Sequence, residues 1–111
     1  MSTESAYELL RRGETFLKSR HPQQAAVVLE RARRQEPARS SIREALGRAY
    51  YNSGRFEQAA DEFHYVIESY PTNGYAHYCL ARCGEKLGDE LLARRHYCLA
   101  RAFGYEWEIK S

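Results

Sequence analysis

The sequence predicts an all-α protein made of three tandem helix-turn-helix repeats. The chain has 111 residues, and sliding it against itself by 34 positions aligns Gly54 with Gly88 and Pro37 with Pro71. Within each period, apolar residues recur at intervals of three and four, which is typical of amphipathic helices. A period of this length is typical of stacked helical repeats. We therefore expect one domain at 6–107, with repeats 6–39, 40–73 and 74–107, and short tails at 1–5 and 108–111.

Several residues predict the boundaries of the second and third helices. Pro22 can occupy the first turn of the second helix, because its missing N–H needs no partner there. In the second repeat, Ser41 is followed three residues later by Glu44, which is the spacing of a capping box. We expect the third helix to cover 41–53 and to stop at Gly54, which tolerates a left-handed conformation.

The remaining helices are bounded by proline and aspartate. The fourth helix should start near Phe56 and end before Pro71, because proline cannot continue a helix. Asp89 can cap a last helix over 90–103. Links of two to four residues between these segments make neighbouring helices antiparallel.

Composition and charge exclude several classes of protein. The chain is 43% hydrophobic and 29% charged with a formal charge of +2, which argues against disorder and against a strongly basic nucleic-acid domain. No apolar run is long enough to span a bilayer, and no signal peptide is visible. Three cysteines are too few, and odd in number, for a secreted disulfide scaffold. We therefore expect a cytoplasmic protein with reduced thiols and no membrane partner.

The order and spacing of seven residues in the middle repeat indicate a known family. The positions that carry it are Leu46, Gly47, Tyr50, Gly54, Ala59, Phe63 and Pro71. This order of residues resembles the tetratricopeptide repeat, although Arg43 replaces the family's tryptophan and Val66 replaces a later alanine. The resemblance implies a right-handed superhelical solenoid whose first helices line a concave groove. It also implies a non-enzymatic adaptor that binds a protein or peptide segment in that groove.

The groove positions implied by the resemblance are aromatic and mildly basic. Arg48 and Arg82 are one repeat apart and become neighbours in a stack, so we expect the partner segment to contain an acidic group. Alternatively, the tyrosines pack between helices and the arginines pair with Glu14, Glu44 and Glu85. The predicted groove residues are Tyr7, Arg11, Glu14, Arg48, Tyr51, Asn52, Tyr75, Tyr78 and Arg82.

One subclass of the family is rejected on its residues. Some tetratricopeptide domains hold a C-terminal carboxylate with lysine, asparagine and arginine at five groove positions. None of these residue types stands at the matching positions, and Glu14 would repel a carboxylate. The matching positions are Leu10, Glu14, Ala45, Tyr75 and Cys79.

The last helix predicts a second interaction surface. Stacked repeats usually end with a polar outer face, but this helix keeps apolar residues that no later helix of the predicted stack covers. The segment after it alternates aromatic and acidic residues. It either folds back over the helix or leaves a patch that favours a homodimer or a docking partner. The predicted self-association face comprises Leu91, Leu92, Leu99, Phe103 and Trp107.

Other groupings of side chains give weaker indications. Cys79 and Cys83 lie one helical turn apart, but structural zinc normally has four ligands, so we expect no metal and no cofactor. The four histidines lie in different helices or turns without a nucleophile motif, so we expect no catalytic residue. Nucleic-acid binding is a weaker alternative, because it would need a continuous basic stripe. The arginine cluster that suggests it comprises Arg31, Arg33, Arg34 and Arg39.

Overall fold

The computed structural model describes residues 3–108, which form six α-helices and no strand. The predicted all-α fold class is therefore confirmed. None of these helices is long and apolar enough to cross a membrane. The helices are α1 (Ala6–Lys18), α2 (Pro22–Gln35), α3 (Ser40–Asn52), α4 (Phe56–Ser69), α5 (Gly74–Leu87) and α6 (Glu90–Ala102).

Local chemistry sets most helix ends as predicted. Pro22 is the first residue of α2. The Asp89 carboxylate accepts a hydrogen bond from the Leu92 N–H at 3.0 Å and so caps α6. Gly54 follows α3 with a φ of +80°, a left-handed conformation that residues with a Cβ atom rarely adopt.

The capping box predicted at Ser41 is wrong. The helix α3 begins one residue earlier, and its N-cap residue, Arg39, makes no capping hydrogen bond with its side chain. A capping box is found instead at the start of α1. There the Ser5 hydroxyl accepts from the Glu8 N–H at 3.1 Å, and the Glu8 carboxylate accepts from the Ser5 N–H at 3.2 Å.

Close approach between paired helices depends on glycine. A Cβ atom at Gly47 would lie 2.7 Å from the buried Phe63 ring, and one at Gly84 would lie 2.9 Å from the backbone nitrogen of Ala93. The helix pairs stack in chain order, because α2 packs on α3 and α4 packs on α5. The resulting body measures 46 × 26 × 21 Å, with buried apolar side chains contributed by every helix.

One pair of equivalent positions, 34 residues apart from repeat to repeat, carries different chemistry in each repeat. In the second repeat, Arg43 Nη1 lies 3.1 Å from the buried carboxylate of Glu62. In the third repeat, the positions 34 residues later hold His77 and His96, whose Nδ1 atoms lie 2.8 Å apart. The first repeat has two buried aliphatic residues at these positions, Leu9 and Val28.

The first helix of the stack presents polar residues to solvent. Arg12 is exposed at the position where the later repeats bury Leu46 and Leu80. Its guanidinium lies 2.6 Å from the Glu4 carboxylate. A charged, exposed side chain therefore stands in α1 where the later repeats have a core leucine.

Candidate binding groove

Six of the nine predicted groove residues line one cavity, which we call the groove cavity. It lies between α3 and α5 and has a volume of about 120 Å³. The sequence reasoning missed Phe63 of α4, whose buried ring also lines the cavity, because its family position suggested packing alone. The lining residues are Arg48, Tyr51, Asn52, Phe63, Tyr75, Tyr78, Cys79 and Arg82.

Arg82 lies against two tyrosine rings of the groove cavity. Its guanidinium carbon is 5.0 Å from the centroid of the Tyr51 ring and 5.8 Å from that of the Tyr78 ring. Both distances are within the range of cation–π attraction. The two rings therefore hold a positive charge at the mouth of the cavity, although Arg82 itself is exposed.

The two groove arginines have no carboxylate partner among residues 3–108. The ion pairs found there involve other arginines, and neither Arg48 nor Arg82 takes part in one. Glu44 accepts a hydrogen bond from an asparagine amide, and Glu85 accepts one from a tyrosine hydroxyl. The expectation that Glu44 and Glu85 pair with the groove arginines is therefore wrong. Glu14 is exposed and also forms no ion pair within residues 3–108.

Burial keeps the Cys79 thiol and the Tyr75 hydroxyl of the groove cavity in their neutral forms near pH 7. Burial raises the pKa of the Cys79 thiol to about 12 and also raises the pKa of the Tyr75 hydroxyl. The neighbouring Cys83 thiol has its pKa raised to about 12 by the same cause. These thiols are protonated, so they act as small apolar groups and not as nucleophiles. Within residues 3–108, no cluster of three or more His, Cys, Asp or Glu side chains could hold a metal ion.

Three predicted groove residues lie on α1, outside the groove cavity. Tyr7, Arg11 and Glu14 are all exposed. Arg11 Nη1 donates a hydrogen bond to the Tyr7 hydroxyl at 3.0 Å. The structure therefore divides the predicted site into a cavity between α3 and α5 and a separate polar pair on the first helix.

The predicted self-association face is only partly continuous. Leu91 is 77% exposed and Phe103 is 40% exposed, whereas Leu92 and Leu99 are half-buried. Trp107 lies elsewhere, with its ring centroid 5.3 Å from that of Tyr97. Because side chains two residues apart on a helix point about 200° apart, Tyr97 and Leu99 occupy different sides of α6.

Three of the four arginines in the first-repeat cluster contact carboxylates. Arg33 pairs with Glu62, Arg31 lies 3.5 Å from a carboxylate oxygen of Glu4, and Arg39 lies 2.7 Å from one of Glu36. Arg34 is exposed. The arginines therefore do not form the continuous basic stripe that nucleic-acid binding would need.

Three histidines that the sequence analysis treated as unrelated come together beside α6. The His96 ring stacks on His77 at 5.1 Å between centroids and meets His64 edge-on at 6.2 Å. His77 Nε2 lies 2.8 Å from the Pro71 carbonyl oxygen, so that nitrogen carries a hydrogen. In a neutral pair, His77 Nδ1 therefore accepts a hydrogen bond from His96 Nδ1.

The environment of His96 disfavours its protonation. Burial is the main cause that lowers its pKa from 6.5 to about 4, followed by the proximity of His77, His64 and Arg95. Protonation of both paired rings would also place two N–H groups face to face. The 34-residue register places His77 and His96 at the positions that Arg43 and Glu62 occupy in the second repeat, but the sequence alone does not show that these positions meet.

The fold and the groove define a helical-repeat scaffold that presents a concave surface of tyrosine and arginine. The model of the tetratricopeptide repeat family matches residues 10–74 and 44–105. The chain therefore belongs to the tetratricopeptide repeat family. No curated protein matches it.

Solved structures share the same architecture. A structure of MamA from MSR-1 is 25% identical with a TM-score of 0.83, and the match covers 89% of this chain and 57% of that one. PcrH in complex with the chaperone-binding region of PopB is 19% identical with a TM-score of 0.84, covering 93% and 83%. The CopN–Scc3 complex is 16% identical, also at 0.84, covering 93% and 61%. At these identities, PcrH and CopN–Scc3 establish only that this chain has the same fold. The chain spans a little over half the length of the MamA chain.

Proposed function

We propose that the protein is a non-enzymatic adaptor that binds a segment of a partner protein in the groove cavity, with an acidic side chain of the partner between Arg48 and Arg82. One observation supports this proposal most. Two arginines that form no ion pair with a carboxylate of residues 3–108 stand at the rim of a tyrosine-lined cavity. An arginine can bind a carboxylate through two parallel hydrogen bonds, so an acidic partner satisfies donors that the chain leaves open.

The proposed mechanism is passive recognition. Tyr51, Tyr75 and Tyr78 offer large contact areas with few rotatable bonds, so little conformational entropy is lost on binding. The cavity exists in the structure without a partner, which further reduces the cost of ordering. Neutral thiols and phenols in the cavity favour contact over chemistry.

A structural neighbour suggests the class of function that we propose. PcrH is described in complex with the chaperone-binding region of PopB, and we extend this kind of protein–protein recognition to the present chain. The identity of the partner is set by surface residues and not by the fold. We place the protein in the cytoplasm on its odd number of cysteines, which does not suit a disulfide-bonded secreted domain.

Capture of partners on immobilised protein tests the proposal. The bait proteins are the wild type, Arg48→Ala/Arg82→Ala and, as a matched control, Arg34→Ala, which removes an exposed arginine outside the groove cavity. We expect at least one partner protein to bind to the wild type and to Arg34→Ala but not to Arg48→Ala/Arg82→Ala. Each lost charged hydrogen bond is worth about 1.5–3 kcal/mol, or at least about tenfold in affinity. Equal capture by all three folded proteins would contradict a groove site.

Self-association through α6 is a second candidate function. Leu91 is 77% exposed, and with Leu92 it lines an open surface cavity of about 490 Å³. Asp89 and Arg95 line the same cavity, so two exposed or half-buried leucines lie between charged side chains there. Exposed apolar side chains of this kind favour association with a second copy or another protein. Light scattering after size exclusion tests it: the wild type would be dimeric and Leu91→Glu monomeric. A monomeric wild type at high micromolar concentration would refute the dimer.

A further inference from the structure

The chain reverses direction after α6 and returns along α5. Gly104 makes the reversal with a φ of +85°, and the Tyr105 N–H donates a hydrogen bond to the Ala100 carbonyl oxygen at 2.9 Å. Tyr105 then lies over Gly74, where an added Cβ atom would be 2.9 Å from Tyr105 Cβ. We call residues 105–108 the return segment.

The return segment packs on the aromatic residues of the groove cavity itself. The Tyr105 ring centroid is 5.5 Å from that of Tyr75 and 5.0 Å from that of Tyr78. The Trp107 ring centroid is 5.0 Å from that of Tyr78 and 5.3 Å from that of Tyr97. Tyr78 is therefore shared, because it lines the groove cavity and also carries the return segment.

The charges of the return segment complement those of the groove. Its sequence alternates an aromatic and an acidic residue, Tyr-Glu-Trp-Glu. Glu108 and Trp107 line an open cavity of about 770 Å³ together with Arg82 and Arg101. Glu108 of the return segment and Arg82, one of the two arginines that we assign to the acidic partner, therefore face the same open cavity, which Glu85 also lines.

Ring contacts, including that of the Arg101 guanidinium 5.3 Å from the Trp107 ring centroid, are the main interactions that hold the return segment in place. Tyr105 makes the one backbone hydrogen bond that ties it to the other described residues. Glu106 and Glu108 are exposed, and Trp107 is half-buried. A segment held mainly by the contacts of two rings can be displaced without unfolding a helix.

We propose that the return segment is an internal imitation of the partner, which covers the C-terminal end of the groove and is displaced when the partner binds. This inference rests on the proposed function and adds the chemistry of the partner. The partner segment alternates aromatic and acidic side chains, so that its rings replace Tyr105 and Trp107 on Tyr78 and its carboxylate approaches Arg82.

A peptide added in trans tests the imitation. The probe is a fluorescein-labelled peptide with the sequence Gly-Tyr-Glu-Trp-Glu, amidated at its C-terminus. The proteins compared are the wild type, Tyr105→Ala/Trp107→Ala and, as a control, Tyr70→Ala, which removes an exposed aromatic ring that lines neither the groove cavity nor the cavity beside Trp107. A tethered segment competes at an effective concentration on the order of millimolar. We therefore expect the probe to bind the Tyr105→Ala/Trp107→Ala variant at least about threefold more tightly than the other two proteins.

Two further measurements decide where the probe binds. Adding Tyr78→Ala to the Tyr105→Ala/Trp107→Ala variant should abolish binding of the probe. In the wild type, Trp107 is the sole tryptophan, so its emission should move to longer wavelength when an analogous peptide with phenylalanine in place of tryptophan displaces it. Equal affinities for all proteins, binding that survives Tyr78→Ala, or no binding at all would each overturn the imitation. The capture experiment with the Arg48→Ala/Arg82→Ala variant is independent of these results, so the groove proposal can stand when the imitation fails.

Discussion

Lowering the pH from 7 to 5 is expected to destabilise this protein by about 2 kcal/mol through His96 alone. The ring is buried, and its pKa is about 4 in the folded protein against an ordinary value of 6.5. Between these two values the unfolded chain binds a proton that the folded chain does not. The contribution of His96 to stability is therefore complete above pH 6.5 and is lost progressively as the pH falls towards 4. Since small domains are stable by about 5–15 kcal/mol, this loss is large enough to measure.

Urea unfolding at pH 7 and pH 5 checks this prediction. The test variant is His96→Asn, whose amide can take over the hydrogen bond to His77 Nδ1 but does not titrate. The control is His21→Asn, which removes an exposed histidine. We expect the difference in unfolding free energy between the two pH values to shrink by about 2 kcal/mol in His96→Asn and to stay unchanged in the control. If the unfolding free energy of His96→Asn fell between pH 7 and pH 5 by as much as that of the wild type, protonation of His96 would not be the cause of the acid destabilisation.

Three more predictions concern single side chains. In the native protein, Ellman's reagent should titrate the exposed Cys98 rapidly and the two buried thiols only after denaturation; reaction of all three at one rate would contradict the burial. Glu62→Gln should destabilise the fold by about 3 kcal/mol in urea unfolding, because it leaves two arginines around a buried site without their counter-charge. The control Glu36→Gln, which breaks an exposed ion pair, should lower the unfolding free energy by less than about 1 kcal/mol. Gly84→Ala should cost about 2 kcal/mol, because its Cβ atom would meet backbone of α6, and an unchanged urea midpoint would show that the two helices can separate freely.

Features determined by local chemistry could be predicted from the sequence. Gly54 ends α3 because a left-handed residue is needed there, and Asp89 caps α6 because its carboxylate reaches a free N–H. The start of α3 could not be placed in this way. Ser41 and Glu44 have the right spacing, but the chain enters the helix one residue earlier, so Ser41 already lies inside it. Spacing alone does not fix which residue has the extended backbone of a cap.

Features that join distant parts of the chain were found only in part. The groove cavity was predicted because the family repeat fixes which positions face inward, and six of the expected residues meet there. For the return segment, the sequence allowed either a fold-back over α6 or an exposed apolar patch. The outcome depends on the ring contacts that the segment makes after Gly104. The histidine pair was missed although the register contains it, because a buried Arg43–Glu62 pair in one repeat does not predict what the next repeat buries.

The pair of equivalent positions that differs from repeat to repeat has a consequence for how the chain assembles. Helices of similar length and shape can pack against the wrong neighbour, which is a typical failure of repeat proteins. Here the three pairs are aliphatic, ionic and imidazole, so an incorrect partner is penalised. Glu62 packed against Leu9 would lose the Arg43 guanidinium, and removing one partner of a buried ion pair is strongly destabilising. The three pairs thus distinguish otherwise similar repeats from one another, and they favour the native order of stacking over its permutations.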